Sequence, residues 1–340
     1  MMSETQTPTL LCYVDDSLPG IIRRPLKRGW AYFDATGQRI VDRDEIDRLN
    51  AIGMPPAYGD CWFCPGPQGH IQATGYDARG RKQYRYHPDF RAGQEADKYE
   101  RCAAFGRVLP LLRARVESDL LDRMLERDTV VAAVIRLLDL CRVRVGNESY
   151  AKANKSYGAT TLRRRHAQLS SGRIKLQFRA KSGKMQQLTI ADSRLVRIAR
   201  RCQDLPGQHL FQYLDASGEA HPVGSGDVNA YLRETMGEAF SAKHFRTWGA
   251  SVIAFGALID AGGKLPLKAL VAPVCEALGN TPAIARKSYI HPALIEIAQN
   301  GGLSKDLKLP RRTKYLSAVE RGLIEFLETA APSNEPRPPD

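Results

Sequence analysis

The clearest pattern of apolar and polar positions lies near the middle of the chain, where Val131, Val134, Ile135 and Leu138 recur at i, i+3, i+4 and i+7. That spacing predicts a helix with one apolar face, capped by Asp128 or Thr129. The same period predicts further helices near 194–202, 227–236, 243–259, 267–278 and 314–328. Between them the period changes to two. Ile174, Leu176 and Phe178 alternate with Arg173, Lys175 and Gln177, the chain turns at Ser182-Gly183, and a second strand returns through Leu188 and Ile190. Upstream of Pro88 there is no long helical period. Trp30 to Phe33, Cys61 to Phe63 and His70 to Ala73 read as short strands, punctuated by Ala35-Thr36-Gly37 and Pro65-Gly66-Pro67. These patterns predict an α+β chain: a small antiparallel-sheet N-terminal domain over 1–90, then a larger, mainly α-helical domain over 91–328 with a small β-hairpin or sheet. Residues 329–340 carry four prolines and few apolar side chains, the composition of a disordered tail.

With 340 residues, 43% of them hydrophobic, the chain can bury a substantial core in two domains. Met1 to Pro8 is polar, without the features of a signal peptide, and the longest apolar run, Gly249 to Ile259, is too short for a membrane span. A cytoplasmic protein with no membrane partner is expected. The seven cysteines are odd in number and scattered, which fits reduced thiols. Cys61 and Cys64 form a CxxC, but no second pair follows at zinc spacing, so the strand-core reading is preferred to a metal site.

Charge changes the picture most. The formal net charge is +13, and from Ser149 to Ala191 there is no acidic residue, while Lys152, Lys155, Arg163, Arg164, Arg165, Arg173, Lys175, Arg179, Lys181 and Lys184 all fall inside. A solvated basic face is the bland account of such a run. Nucleic-acid phosphate is the partner that best accounts for one this long and free of acid.

Binding charge alone makes no enzyme, so the chemistry has to be asked of particular residues. Reaction at a DNA phosphodiester needs a nucleophile, donors on the non-bridging oxygens and an acid for the leaving oxygen. Tyr289 is the nucleophile candidate, in the last turn of a short basic helix that Thr281 caps, Pro282 starts and Pro292 stops. A phenol of pKa about 10 needs cationic neighbours to be a nucleophile near neutrality. Arg246 and Arg144 offer planar forks that match paired phosphate oxygens. The helical period puts Phe245, Trp248 and Val252 in the core and Arg246 on the flank. Lys181, at the hairpin turn, has the reach to enter a groove. Taken singly, each of these is more often a packing or surface residue.

As a set they resemble a family, the type IB DNA topoisomerases of the compact bacterial and poxvirus-like kind. The resemblance runs from about residue 20 to 325. It is carried by Pro55-Pro56-Ala57, Gly69 to Gly75, Gly80 to Pro88, Arg142 to Glu148, the Lys181 hairpin, Phe245-Arg246-Thr247, and Gly279 through Tyr289. It implies that Tyr289 attacks the scissile phosphate and becomes joined to the 3′ end, so that positive and negative supercoils relax before religation. It implies that Arg144 and Arg246 stabilise the transition state and that Lys181 is the general acid toward the 5′ oxygen, a role typically worth about 10²- to 10⁴-fold. Lys243 matches an accessory basic position. Asn280 stands where the poxvirus and nuclear members carry histidine and the bacterial members carry asparagine; its amide can donate to a non-bridging oxygen but cannot transfer a proton. The resemblance further implies a monomer at the nucleoid, clamped around duplex DNA, with no ATP, metal or other cofactor.

In the N-terminal domain Gln83, Tyr84 and Tyr86, with Arg81 nearby, match DNA-contacting positions, as does Tyr150 further on. Alternation places both Tyr84 and Tyr86 on one strand face, which either meets DNA or packs inside its own domain. Two other classes remain open. A tyrosine recombinase uses a similar residue set but a helical N-terminal domain, and a non-catalytic duplex-DNA-binding protein explains the charge alone.

Overall fold

The computed structural model describes residues 10–78, 80–238, 240–304 and 307–330. Two compact units divide at Asp97/Lys98. Met1 to Pro8 and residues 331–340 of the expected tail lie outside the described residues.

The first unit is an antiparallel sheet of β1 (Ile21–Pro25), β2 (Trp30–Phe33), β3 (Gly59–Phe63), β4 (Ile71–Tyr76) and β5 (Lys82–Tyr86), in the order β2-β1-β3-β4-β5. Its core gathers Ile21, Tyr32, Leu49, Met54, Cys61, Phe63 and Ala73. Cys61 and Cys64 are both buried, the first within β3 and the second just beyond it. Between β2 and β3 the chain forms α1 (Arg43–Ala51), a helix the apolar period did not announce. Only Leu49 of α1 is buried, so its start is marked by Asp42 accepting from the Asp44 N–H rather than by a hydrophobic face.

From β5 the chain enters α2 (Pro88–Asp119), and the second unit continues through α3 (Arg127–Cys141) and α4 (Glu148–Asn154). α3 differs from its expected form in two respects. It starts at Arg127 with Glu126 as the capping residue, and Asp128 instead pairs with Arg115 at 3.0 Å. It is also buried on nearly every side, including Thr129, Val130 to Ile135, Leu137 and Leu138. A helix wrapped by others has no single apolar face, which is why the i, i+3, i+4 reading found only part of it.

The expected hairpin is the larger part of a three-stranded sheet of β6 (Ala167–Ser170), β7 (Arg173–Arg179) and β8 (Met185–Ala191), in that order. Along β7, Ile174, Leu176 and Phe178 are buried and Arg173, Lys175, Gln177 and Arg179 exposed, as period two requires. After α5 (Ser193–Asp204) comes a second small sheet of β9 (Gln212–Leu214) and β10 (Ala220–Pro222). The remainder is helical: α6 (Ser225–Met236), α7 (Lys243–Asp260), α8 (Leu267–Leu278), α9 (Pro282–Ser288), α10 (Pro292–Gln299) and α11 (Ala318–Ala330). α11 starts four residues later than its apolar period suggested and runs two residues into the segment expected to be a tail. Pro292 does not simply stop α9; it occupies the first turn of α10, where a missing N–H costs nothing. No helix among the described residues is long and apolar enough to cross a membrane.

Candidate active site

Four of the residues singled out in the sequence meet where α7, α8 and α9 converge with the segment between α3 and α4. That segment leaves α3 through Arg142 in the left-handed region, φ 54°, and is then fixed to the chain at 158–161. The Ala159 N–H donates to the Arg144 carbonyl at 2.8 Å and the Thr160 N–H to that of Val145 at 2.7 Å. The two stretches approach so closely that a Cβ at Gly158 would lie 2.5 Å from the Arg144 carbonyl oxygen. Glycine at 158 is therefore a condition for the path that delivers Arg144.

Asn280 and Tyr289 stand at the two ends of α9. Gly279 closes α8 at φ 66°, Asn280 follows, and the Thr281 side chain accepts from the Ile284 N–H with Pro282 at the first helical position, as the sequence predicts. Tyr289 is one step beyond its expected place, capping α9 rather than closing its last turn. Arg144 Nη2 donates to Asn280 Oδ1 at 3.3 Å and to the Tyr289 hydroxyl at 3.4 Å. Asn280 Nδ2 is buried with no hydrogen-bond partner among the described residues, so Arg144 engages the acceptor of the amide and its donor is left uncommitted.

Arg246 corrects the sequence reading of α7. It is not a flank residue: it is 4% exposed, within the consecutive buried run His244 to Ser251. Its guanidinium donates to the carbonyls of Arg142 and Leu278, the latter at 3.2 Å, and stands 4.7 Å from the centre of the Tyr289 ring. Burial pulls the Arg246 guanidinium below the usual arginine range, which Tyr289 opposes and Arg144 reinforces. For Tyr289, burial raises the phenol pKa, but the charges of Arg246 and Arg144, with a smaller share from Lys181, outweigh it and hold the phenol below the ordinary tyrosine value.

Lys181 lies in the tight turn between β7 and β8, where Ser182 takes φ 65° and Gly183 φ 76°. It is exposed and lines a cleft of about 160 Å³ with Arg144, Asn280, Lys184, Gln186 and Cys275. The cluster thus joins Arg144, Arg246, Asn280 and Tyr289 by direct contact, and Lys181 through the shared cleft. Lys243 is exposed at the start of α7, one turn before Arg246, and no described contact joins it to the cluster. Sequence reasoning did not find Lys184, Gln186 and Cys275 as cleft residues. Lys184 was visible only as one cation in a basic run, and nothing local marks the other two.

The expected contact residues outside the cluster are accessible. Tyr84 and Tyr86 are 41% and 46% exposed, with rings stacked at 5.9 Å, so the face they share is not packed inside its unit. Arg81 pairs with Asp77 at 2.6 Å, and Gln83 donates to the same carboxylate at 3.1 Å. Tyr150 is 39% exposed in the first turn of α4. Of the acid-free stretch, Arg163 is taken by Glu148. Lys152, Lys155, Arg165, Arg173, Lys175, Arg179, Lys181 and Lys184 are exposed and pair with no carboxylate among the described residues.

Comparison with known proteins adds an independent finding. Residues 87–287 match the family described as eukaryotic DNA topoisomerase I, catalytic core, and residues 29–77 that described as bacterial DNA topoisomerase IB, N-terminal domain. The chain is 31% identical over 297 residues to the DNA topoisomerase 1B of Acanthamoeba polyphaga mimivirus, covering 83% of this chain and 88% of that one. It is 25% identical over 188 residues to the DNA topoisomerase 1 of Mycosarcoma maydis, covering 50% of this chain and 18% of that one. Among solved structures, a XerH site-specific recombinase bound to its difH substrate in a pre-cleavage complex aligns with a TM-score of 0.35 at 13% identity, over 56% of this chain and 52% of the recombinase.

Proposed function

Because this chain belongs to the type IB DNA topoisomerases, we propose that it changes DNA topology through a covalent 3′-phosphotyrosyl intermediate formed by Tyr289. The observation that carries the proposal is the Tyr289 hydroxyl 3.4 Å from Arg144 Nη2, with the Arg246 guanidinium over its ring. Two fixed cations at one phenol both favour its ionisation and hold charge on a phosphorane.

The phenol oxygen attacks phosphorus and its proton passes to solvent. Arg144, Arg246 and the Asn280 amide donate to the non-bridging oxygens as the pentacoordinate state forms. The bond to the 5′ oxygen breaks, and Lys181 gives that oxygen a proton. One phosphodiester has replaced another, so the bond energy is retained in the tyrosyl ester and the step needs neither ATP nor metal. The freed strand swivels about its intact partner, and its 5′ hydroxyl reverses the sequence to release Tyr289. Because swivelling runs in either direction, supercoils of both signs relax.

Gln83, Tyr84, Tyr86 and Arg81 in the first unit, with Tyr150, Lys243 and the exposed cations of the second, supply the contacts to duplex DNA. Most of these go to phosphate, which gives weak sequence preference and steep salt dependence. The protein works as a monomer at the nucleoid. The deciding experiment is relaxation of positively and negatively supercoiled plasmid with EDTA present and ATP absent, beside Tyr289→Phe and a denaturing trap for adducts. Relaxation of both signs with a 3′ adduct that Tyr289→Phe abolishes is the expected result. DNA binding with neither adduct nor relaxation would overturn the proposal.

A further inference from the structure

The turn that carries Tyr289 is held on both sides by residues that no sequence motif marks. α9 ends at Ser288, and both the Tyr289 and Ile290 N–H groups return to the Ala285 carbonyl, at 3.1 and 3.0 Å. The Lys287 and Ser288 carbonyls are then the orphan acceptors that any helix leaves at its C-terminus. α2 satisfies both. Tyr99 donates its hydroxyl to the Lys287 carbonyl at 3.1 Å, and Lys98 Nζ donates to that of Ser288 at 2.8 Å. The ammonium lies 4.0 Å from the centre of the Tyr99 ring, so the two donors brace each other. A cation at this end of a helix also meets the negative pole of its dipole.

The far side of the turn is fixed from α7. Ser251 is fully buried; its Oγ donates to the Thr247 carbonyl at 2.9 Å and accepts from the His291 N–H at 3.1 Å. The His291 ring in turn packs edge-on against Tyr99, with centres 5.5 Å apart. α7 therefore holds the nucleophile's segment at His291 while presenting Arg246 to the Tyr289 ring less than two turns earlier. The residues on either side of Tyr289 are tied down, and its own phenol is left to the arginines.

We propose that Lys98 and Tyr99 are positioning residues for the nucleophile: by holding the Lys287 and Ser288 carbonyls they keep the Tyr289 hydroxyl within reach of Arg144 and Arg246. Neither residue touches the reacting atoms. Their effect follows from geometry, since small misplacements of a nucleophile cost large factors in rate. The proposal rests on the reading of Tyr289 as nucleophile, and its test keeps the two apart.

The variants are Tyr99→Phe, which removes one oxygen and leaves the ring on His291, Lys98→Met, and Lys98→Arg. Full-length protein is mixed in excess with a short duplex, and covalent adduct formation is followed in a single turnover, beside duplex affinity and thermal midpoint. Tyr99→Phe and Lys98→Met are expected to slow adduct formation about tenfold each at unchanged affinity and midpoint, and Lys98→Arg to restore most of the rate. A second readout needs no turnover: the Tyr289 phenol titration, followed by NMR of ring-labelled tyrosine, moves up in Tyr99→Phe and Lys98→Met as the arginines lose their hold. Rates within twofold of wild type in both variants, or an unmoved titration, would overturn the inference. Wild-type protein that forms no adduct would overturn the proposed function instead, and the titration would still decide the role of Lys98 and Tyr99.

Discussion

Arg246 and Lys181 are both cations of the proposed reaction, yet they are held in opposite ways. Arg246 is 4% exposed on an eighteen-residue helix, with two backbone carbonyls fixing its fork and the Tyr289 ring against it. Lys181 is exposed at a tight turn whose second residue takes a left-handed φ of 65°, and it has no hydrogen bond or ion pair among the described residues. The difference follows the work each is proposed to do. A group that stabilises developing charge gains by being fixed and desolvated before the reaction. A proton donor must meet an oxygen that is moving away, and a flexible four-carbon stem serves that better than a braced fork.

The sharpest test of this contrast is Lys181→Ala, expected to slow cleavage by about 10²- to 10⁴-fold with the thermal midpoint unchanged. A substrate whose leaving 5′ oxygen is replaced by sulfur departs without a proton and should recover most of that loss; no recovery would remove Lys181 from proton transfer. Next is Arg246→Lys. It keeps the charge but cannot reach the Arg142 and Leu278 carbonyls together, so a loss of about 10²- to 10³-fold is expected in single-turnover cleavage. Near wild-type activity would mean that charge alone matters on the buried wall. A smaller effect belongs to Asn280→Ala, about tenfold slower, while Asn280→His, which keeps a donor, retains much of the rate.

The smallest effect concerns acid. Burial brings the His291 side chain down to about 4, partly offset by a hydrogen bond with the Tyr99 backbone. A histidine held neutral in the fold stabilises it fully above the ordinary pKa near 6.5, and that contribution is lost as pH falls from there toward 4. The thermal midpoint should therefore be lower at pH 5 than at pH 7. His291→Asn should narrow that gap if the buried wall is its source, and an unchanged gap would place the acid sensitivity elsewhere.

What was legible in the sequence were features whose cause is local. Alternation along Arg173 to Arg179 gave the buried and exposed faces of β7, and Thr281-Pro282 gave the start of α9, because strand pleat and helix cap are set by neighbouring residues. That Tyr84 and Tyr86 share a face follows from the same pleat, but whether that face is open or packed was not legible, because it depends on what the rest of the chain lays against it. Arg246 was misplaced because the helical period assumes that charge faces water, whereas here backbone carbonyls from two distant segments receive it. Pro292 reads in the sequence only as a stop, although the residue that cannot continue one helix is well suited to begin another. Lys98 and Tyr99 gave no signal at all, being nearly two hundred residues from the carbonyls they hold.

Gly249 turns the packing of α7 into a constraint on how this protein can change. A Cβ there would lie 2.4 Å from Arg142 Nε and 2.5 Å from its Cδ, and the Arg142 carbonyl is one of the two that hold Arg246. In an ordinary helix interior, replacing glycine by alanine gains roughly 0.5–1 kcal/mol. At this position the added methyl collides with the Arg142 stem, which offsets that gain, and moving the stem loosens the carbonyl behind it, so Gly249→Ala should lower stability and slow cleavage together. Folding and catalysis therefore constrain this one carbon atom in the same direction, and the helix keeps its least favourable ordinary residue where the site behind it needs the room.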